Sequence, residues 1–448
     1  MGAAHGGKGP WNRRAAGILV TVWIGILLAL FRPEIRGMDP VAYYAWLRAA
    51  VIQGDLDASA TFAHYGVLSA RGISPTGYRL NEWPVGPALL WSPFFLTAHG
   101  LARLARALGA PVGVDGFSAP YQVLTGLGSA VYAGIGLWLA FRLAEAVAPP
   151  PLALWAALSV GLASPLIFYM SAHPFMAHAV DFFVNALFLR TWLGTGRWDG
   201  WARFRLGAIG GLAACVRYQN ATWLVWAALE DLRHTWRRPP EGLRRLLGLG
   251  FGGLLGFLPQ MVAWRVVFGS WLVLNPYARV GAGSFDWRSP HLLDVLFSTD
   301  RGLFLWTPIS AFALWGLVRH LAPHRPGWAA RMGGQILAQV ALVGAWSAWS
   351  GAAAFGPRLL TGLFPAFGVG LAALYAAWER RWGKGPVLGL GVGAIFWNLL
   401  LLARYGLQDV PRMGPVPLDR LWLGQFVFLG RLGRELGRLL QALARTLP

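Results

Sequence analysis

Long apolar runs alternate with short polar ones along this chain. A hydrocarbon core takes about 20 apolar residues per spanning helix. Runs at 15–31, 119–141, 152–171, 175–193, 246–268, 302–320, 332–349, 359–378 and 386–403 approach that length. A β-barrel would show short segments of alternating polarity instead. The pattern predicts an all-α fold, a polytopic helical bundle with about 10–12 membrane segments.

The polar stretches set the topology. Arg13 and Arg14 precede the first run and place the N-terminus in the cytoplasm. With no cleavage site behind it, this run reads as a retained helix rather than a signal peptide. Residues 32–83 form an external loop. Within it, 40–53 reads as an amphipathic helix along the membrane surface, with Asp39 as N-cap and Pro40 in the first turn. The run 84–102 carries Pro84, Pro87 and Pro93 and reads either as a span or as a broken juxtamembrane segment. The basic stretches 195–205 and 231–245 belong in the cytoplasm. The intervening 206–230 must then enter and leave on one side, as two half-length helices meeting at Arg217-Tyr218-Gln219-Asn220. This arrangement puts His173, His178 and Asp181 outside and requires that 84–102 not cross. The competing count makes 84–102 and 206–230 full spans and moves the histidines inside. The first is preferred because it gathers the polar clusters near one face. The loops 269–301 and 350–358 are then external. The tail from 418 is basic and amphipathic, either a short final span or an interfacial helix. The domain reading is a cytoplasmic tail at 1–14, a transmembrane domain at 15–405 and a basic amphipathic segment at 406–448.

Composition changes this picture little. The 448 residues include 39 Lys+Arg against 19 Asp+Glu, a net charge of +20. In a soluble protein that excess would suggest nucleic acid. Here it lies in short loops, where it sets orientation and meets anionic lipid, and nucleic acid is not an expected partner. Many of the 25 Trp fall near helix ends, as in an interfacial belt. The single cysteine, Cys215, excludes an internal disulfide and reads as a small core residue.

The few acidic residues are informative. Glu34, Asp39, Asp55, Asp57 and Glu82 all fall in the first external loop. Carboxylates gathered at one membrane face suggest chemistry there. A carboxylate such as Asp39 can take a proton from an acceptor hydroxyl; capping the following helix is its structural alternative. Paired carboxylates can also hold a divalent cation. Asn81 and Glu82 stand beside the proline-rich segment, where an ordinary loop edge is the alternative. His178 and Asp181 share a helix face, as a His–carboxylate pair or as polar helix-end residues, but lack a full zinc ligand set. Arg217 sits in an apolar region and needs a polar partner, for which a phosphate suits its fork. Asp300-Arg301-Gly302 and the glycine-rich turn leading to Arg358 offer further anion sites, with turn chemistry as the alternative.

The first loop, with its acidic residue followed by a Tyr43-Tyr44 helix, resembles the GT-C superfamily of integral-membrane glycosyltransferases. That superfamily includes protein mannosyltransferases and lipid A aminoarabinose transferases. The segments HPFMAHAVDFF, VRYQN, STDRGLFLWTP and FGPRLL resemble a set of bacterial GT-C-like proteins, and the resemblance spans residues 15–405. It implies a polyprenyl-phosphate-linked sugar donor, an acceptor in the cell envelope, and inverting transfer at the outer face of the bacterial inner membrane. Asp39 matches the position of the first-loop catalytic aspartate and is assigned as general base. The family often pairs acidic residues there, whereas Pro40 follows Asp39 in this chain. Glu34 or Glu82 would supply a second carboxylate, so the metal remains unknown and a divalent cation stays open. Arg217, Arg301 and Arg358 are candidates for the donor phosphate. His178, Asp181, Tyr43 and Asn81 complete the candidate site. The alternative function is a transporter or flippase for a lipid-linked or anionic substrate.

Overall fold

The computed structural model describes residues 10–194 and 199–446, which are helical with two isolated β-bridges and no strand among them. Most of the N-terminal tail, and Arg197 of the basic stretch, lie outside the described residues. The principal helices are α1 (Pro10–Leu30), α2 (Met38–Arg48), α3 (Gly86–Ala107), α4 (Ala119–Ala144), α5 (Pro150–Leu162), α6 (His178–Gly194) and α7 (Gly200–Val216). They continue with α8 (Thr222–Arg237), α9 (Pro239–Phe268), α10 (Ile309–Trp315), α11 (Pro326–Ala345), α12 (Phe364–Trp382), α13 (Lys384–Gly406) and α14 (Leu418–Thr446). Among the described residues, five helical segments are long and apolar enough to cross a membrane: Trp11–Leu30, Ala119–Ala144, Pro239–Phe268, Arg358–Trp382 and Lys384–Gly406. The chain is an integral membrane protein. Other predicted spans are interrupted. α5 ends before Ser164-Pro165 and the chain resumes as a π-helical turn, Phe168–Ala172, while α10 runs into the π-helical turn Gly316–Leu321.

α12 is the centre of the bundle. It packs against α4, α5, α6 and α10, and Phe364 to Tyr375 are all buried. The closest helix pair is α7 with α9. A methyl group at Gly207 or Gly211 would run into the backbone of Leu249 or Gly253, and one at Gly252 or Gly256 into the carbonyls of Phe204 or Ala208. Small residues four apart on both helices bring the backbones together, the means by which membrane helices associate without a hydrophobic drive between them.

α7 and α8 form a hairpin. Arg203 pairs with Asp231 at 2.7 Å at its foot, and Gly210 packs on Leu224 nearer its tip. Residues 206–230 therefore leave and return to the same end of the bundle, as the flanking basic stretches require. The two arms have 17 and 16 residues, about 25 Å each, so they are longer than the expected half-length helices. α3 begins against Cys215 and Val216. It then runs antiparallel to the start of α4, where Trp91 donates to Ser129 Oγ at 2.7 Å and His99 meets the Tyr121 hydroxyl at 2.7 Å. α3 stays in the half of the bundle that holds Arg217 and does not cross to the Arg203–Asp231 end. Pro93 lies inside it without breaking it, so of the two readings open for this segment the structure has one continuous helix, not a broken one.

The helix after Asp39 also differs from expectation. Pro40 through Ala49 are all buried, because α2 is packed beneath α3 rather than lying on the membrane surface. Tyr43 meets Trp91, and Tyr44 meets Phe95 and Phe175. α14 settles the reading of the tail. It buries Leu421, Gln425 and Phe428 and exposes Trp422, Leu423, Phe426, Arg431 and Arg434. Arg404 holds its first turn through the carbonyls of Arg420 and Leu421. It is an amphipathic helix and not an apolar span.

Candidate functional site

Asp39 opens the site. Gly37 stands at the N-cap of α2 with φ 84°, and Asp39 lies in the first turn without capping it. Its carboxylate instead meets Arg358, with Oδ2 and Nη1 2.9 Å apart. Arg358 arrives from the turn before α12. Gly356 has φ 60° there, and a Cβ at that position would strike the Pro165 ring. Tyr169 fixes the same turn from the π-helical stretch: its hydroxyl donates to the Phe355 carbonyl at 3.2 Å and accepts from the Phe355 amide at 3.0 Å.

Arg217 stands at the tip of the α7–α8 hairpin in extended conformation (φ −150°, ψ 124°). It lies 3.0 Å from His178 Nδ1, 3.2 Å from Gln219 Oε1 and 3.9 Å from Asp181 Oδ2. Asp181 is fully buried and accepts through Oδ1 from Asn220 at 2.7 Å and Asn185 at 2.8 Å. The two arginine turns are tied together: Gln219 donates to the Leu359 carbonyl at 2.7 Å, and Gln339 donates to the Gln219 carbonyl at 2.9 Å. The His178 ring lies 4.4 Å from that of Tyr169, which joins both halves. Tyr43 is within electrostatic reach of Arg217, Asp39, Arg358 and Asp181. Burial raises its phenol far above the usual range and keeps it neutral. Burial chiefly, with Arg358 adding to it and Asp39 opposing, lowers His173 from 6.5 to about 4, so it too is neutral at pH 7.

The fold thus brings together Asp39, Tyr43, His178, Asp181, Arg217 and Arg358. Neither Arg217 Nε nor Arg358 Nε has a hydrogen-bond partner, so each guanidinium keeps a donor in reserve. The other sequence candidates are taken up by other partners, although Glu82 remains within electrostatic reach of Asp39. Glu34 pairs with Arg36 at the surface. Glu82 is buried and gripped by Arg71, whose Nε lies 2.8 and 2.9 Å from its two oxygens. Burial raises the Glu82 carboxyl while Arg71 opposes the rise. Asn81 donates to the Ala42 carbonyl at 2.9 Å and so braces α2. Arg301 is spent on carbonyls, those of Ala354 at 2.9 Å, Gly414 at 3.1 Å and Pro411 at 3.2 Å, and on Asp300. Gln219 and Asn220 belong to the turn that the sequence singled out, whereas Tyr169, Asn185 and Gln339 did not stand out. Single neutral polar residues in apolar helices carry no spacing signal, although a buried polar side chain in a membrane always needs partners.

Asp39, Glu82 and Glu34 are each paired with an arginine. Among the described residues no group of three or more His, Cys, Asp or Glu could hold a metal ion.

No protein-family model matches the chain. No curated protein matches it. Among solved structures it is similar to the crystal structure of ArnT from Cupriavidus metallidurans bound to undecaprenyl phosphate. The identity is 14% and the TM-score 0.48, over 95% of this chain and 76% of that one. A likeness of this degree does not assign a shared activity.

Proposed function

We propose that this protein is a membrane glycosyltransferase that moves a sugar from a polyprenyl-phosphate-linked donor to an acceptor, with Asp39 as general base. The observation that carries this reading is the pairing of Asp39 with Arg358, on a turn tied to that of Arg217, in a buried, polar-lined site where the Nε of each arginine has no hydrogen-bond partner. A lipid phosphate approaching Arg358 and Arg217 finds charge-assisted donors. It also competes with Asp39 for Arg358 and frees the carboxylate. Asp39 then takes the proton of the acceptor hydroxyl as that oxygen bonds to the anomeric carbon. The bond from that carbon to the phosphate oxygen breaks, and the leaving polyprenyl phosphate keeps the electron pair, held by the arginines. Single displacement from the face opposite the phosphate inverts the anomeric centre. Tyr43 and His178 would orient the donor.

Helix ends and short loops at the end opposite the site carry Arg237, Arg238, Arg244, Arg325, Arg380, Arg381 and Lys384, a bias that favours a cytoplasmic position for that end and an outward-facing site in a bacterial inner membrane. A transporter would set its ionisable groups near the midplane of repeated halves. The gathering of these groups at one end supports the transferase reading instead. The test is transfer of labelled sugar from polyprenyl-phosphate donors by the purified protein in proteoliposomes containing cell-envelope acceptors. Transfer by wild type and not by Asp39→Asn is expected. Equal transfer by both overturns the assignment of Asp39, and no binding of polyprenyl phosphate overturns the reading as a whole.

A further inference from the structure

A line of aromatic rings leads from the site to the surface. Tyr277 lies against Tyr218 and Trp83, with ring centroids 6.3 and 6.2 Å apart, and within electrostatic reach of Asp39 and Arg217. It meets Trp346 at 5.5 Å, Trp346 meets Phe285 at 5.0 Å, and Phe285 and Trp287 lie 6.0 Å apart with planes within 10°. The last two are 44% and 59% exposed. The arrangement is braced by the backbone. Phe285 and Trp346 form a β-bridge, the Asp286 amide donates to the Ala345 carbonyl at 2.7 Å, and the Ser347 amide donates to the Ser284 carbonyl at 2.9 Å. Gly283 rests directly on the Trp346 indole.

We propose that this aromatic line is the binding site for a saccharide acceptor, a substrate class that rests on the transferase reading above. Pyranose rings present apolar C–H faces that pack on aromatic faces, while their hydroxyls need polar neighbours. Both are here: exposed, near-parallel rings at Phe285 and Trp287, with the exposed Arg288 next in sequence and the exposed Asp286, whose Oδ1 accepts from the Arg288 and Ser289 amides at 2.9 and 3.3 Å. A loop that served only to anchor in lipid would not carry an aspartate and an arginine within this run, since a charge in hydrocarbon is costly. The line ends at Tyr277, beside the carboxylate that would receive the acceptor's proton.

The test uses the full chain in phosphatidylcholine nanodiscs, titrated with hexose and N-acetylhexosamine trisaccharides and followed by saturation-transfer NMR. Trp287→Ala is expected to weaken trisaccharide binding about tenfold, while Trp287→Phe retains most of it and neither changes the affinity for polyprenyl phosphate. The proposal is overturned if no trisaccharide binds wild type, or if Trp287→Ala binds as wild type does. The latter result, together with loss of tryptophan quenching by brominated lipid, would mark the loop as a membrane anchor. Trp287-dependent trisaccharide binding without polyprenyl phosphate binding would uphold the saccharide site and overturn the transferase reading. Polyprenyl phosphate binding without trisaccharide binding would do the reverse.

Discussion

Asp39 and Arg358 meet at 2.9 Å from distant parts of the chain, one in the first turn of α2 and the other just before α12. The pair places the carboxylate beside the cation that would receive a donor phosphate. Asp39→Asn keeps the side-chain shape and removes the proton acceptor. Transfer is expected to fall by about 10²–10⁴-fold, with polyprenyl phosphate bound at least as tightly because the competing carboxylate is gone. Initial rates and a binding titration on the same preparation check this. Substantial turnover by the variant would remove Asp39 from its role.

Arg358→Lys keeps the charge and loses the planar fork. If the guanidinium holds phosphate through more than one hydrogen bond, donor affinity is expected to weaken by about 10- to 100-fold, the worth of one charge-assisted bond. Unchanged affinity would mean that Arg358 serves Asp39 alone.

Much of this arrangement was legible in the sequence. Hydropathy gave the helical bundle, and the two basic stretches flanking 206–230 required the hairpin that the Arg203–Asp231 pair closes. Arg217 drew notice as a charge in an apolar region, Arg358 through the glycine-rich turn before it and Asp39 as an acidic residue of the first external loop, and the fold brings them together. Glu82 carried the same signal as Asp39, but its partner Arg71 lies eleven residues before it in an irregular loop, and pairings across such loops have no period to read. α2 was misread as lying on the membrane surface. Its Tyr43, Tyr44 and Trp46 suit an interface as well as a core, and only α3 packed above them decides between the two.

Tyr169 is a positioning residue in this scheme. Its hydroxyl makes both hydrogen bonds to Phe355 and its ring touches His178. Tyr169→Phe should cost about 1–2 kcal/mol of stability for the two bonds. It should also raise the KM for donor while leaving kcat near wild type, because the Arg358 turn loosens but the base stays. A stability loss with unchanged KM would reduce Tyr169 to packing.

His173 gives the fold a pH dependence. Burial, with Arg358, Arg36 and Arg412 nearby and only Asp39 opposing, lowers it from 6.5 to about 4. Between those values the unfolded chain takes up a proton that the folded chain refuses. Stability therefore falls as pH drops from about 6.5 toward 4, and this contribution is flat above 6.5. His173→Gln should shrink that slope in thermal unfolding between pH 7 and 4.5. An identical slope in both proteins would show that other groups carry it.

The α7–α9 contact gives a test that is independent of the chemistry. Gly252 rests on the Phe204 carbonyl, whereas Gly250, two residues earlier on α9, has nothing within 4 Å of where its Cβ would stand. Gly252→Ala should push the helices apart at a cost of about 1–3 kcal/mol, the range for overpacking. Gly250→Ala should be neutral or slightly stabilising, because alanine favours a helix over glycine. The α7–α8 hairpin carries Arg217 at its tip, so Gly252→Ala should also weaken polyprenyl phosphate binding although it lies far from the site. Equal unfolding temperatures for the two variants would mean that α7 and α9 are not held backbone to backbone.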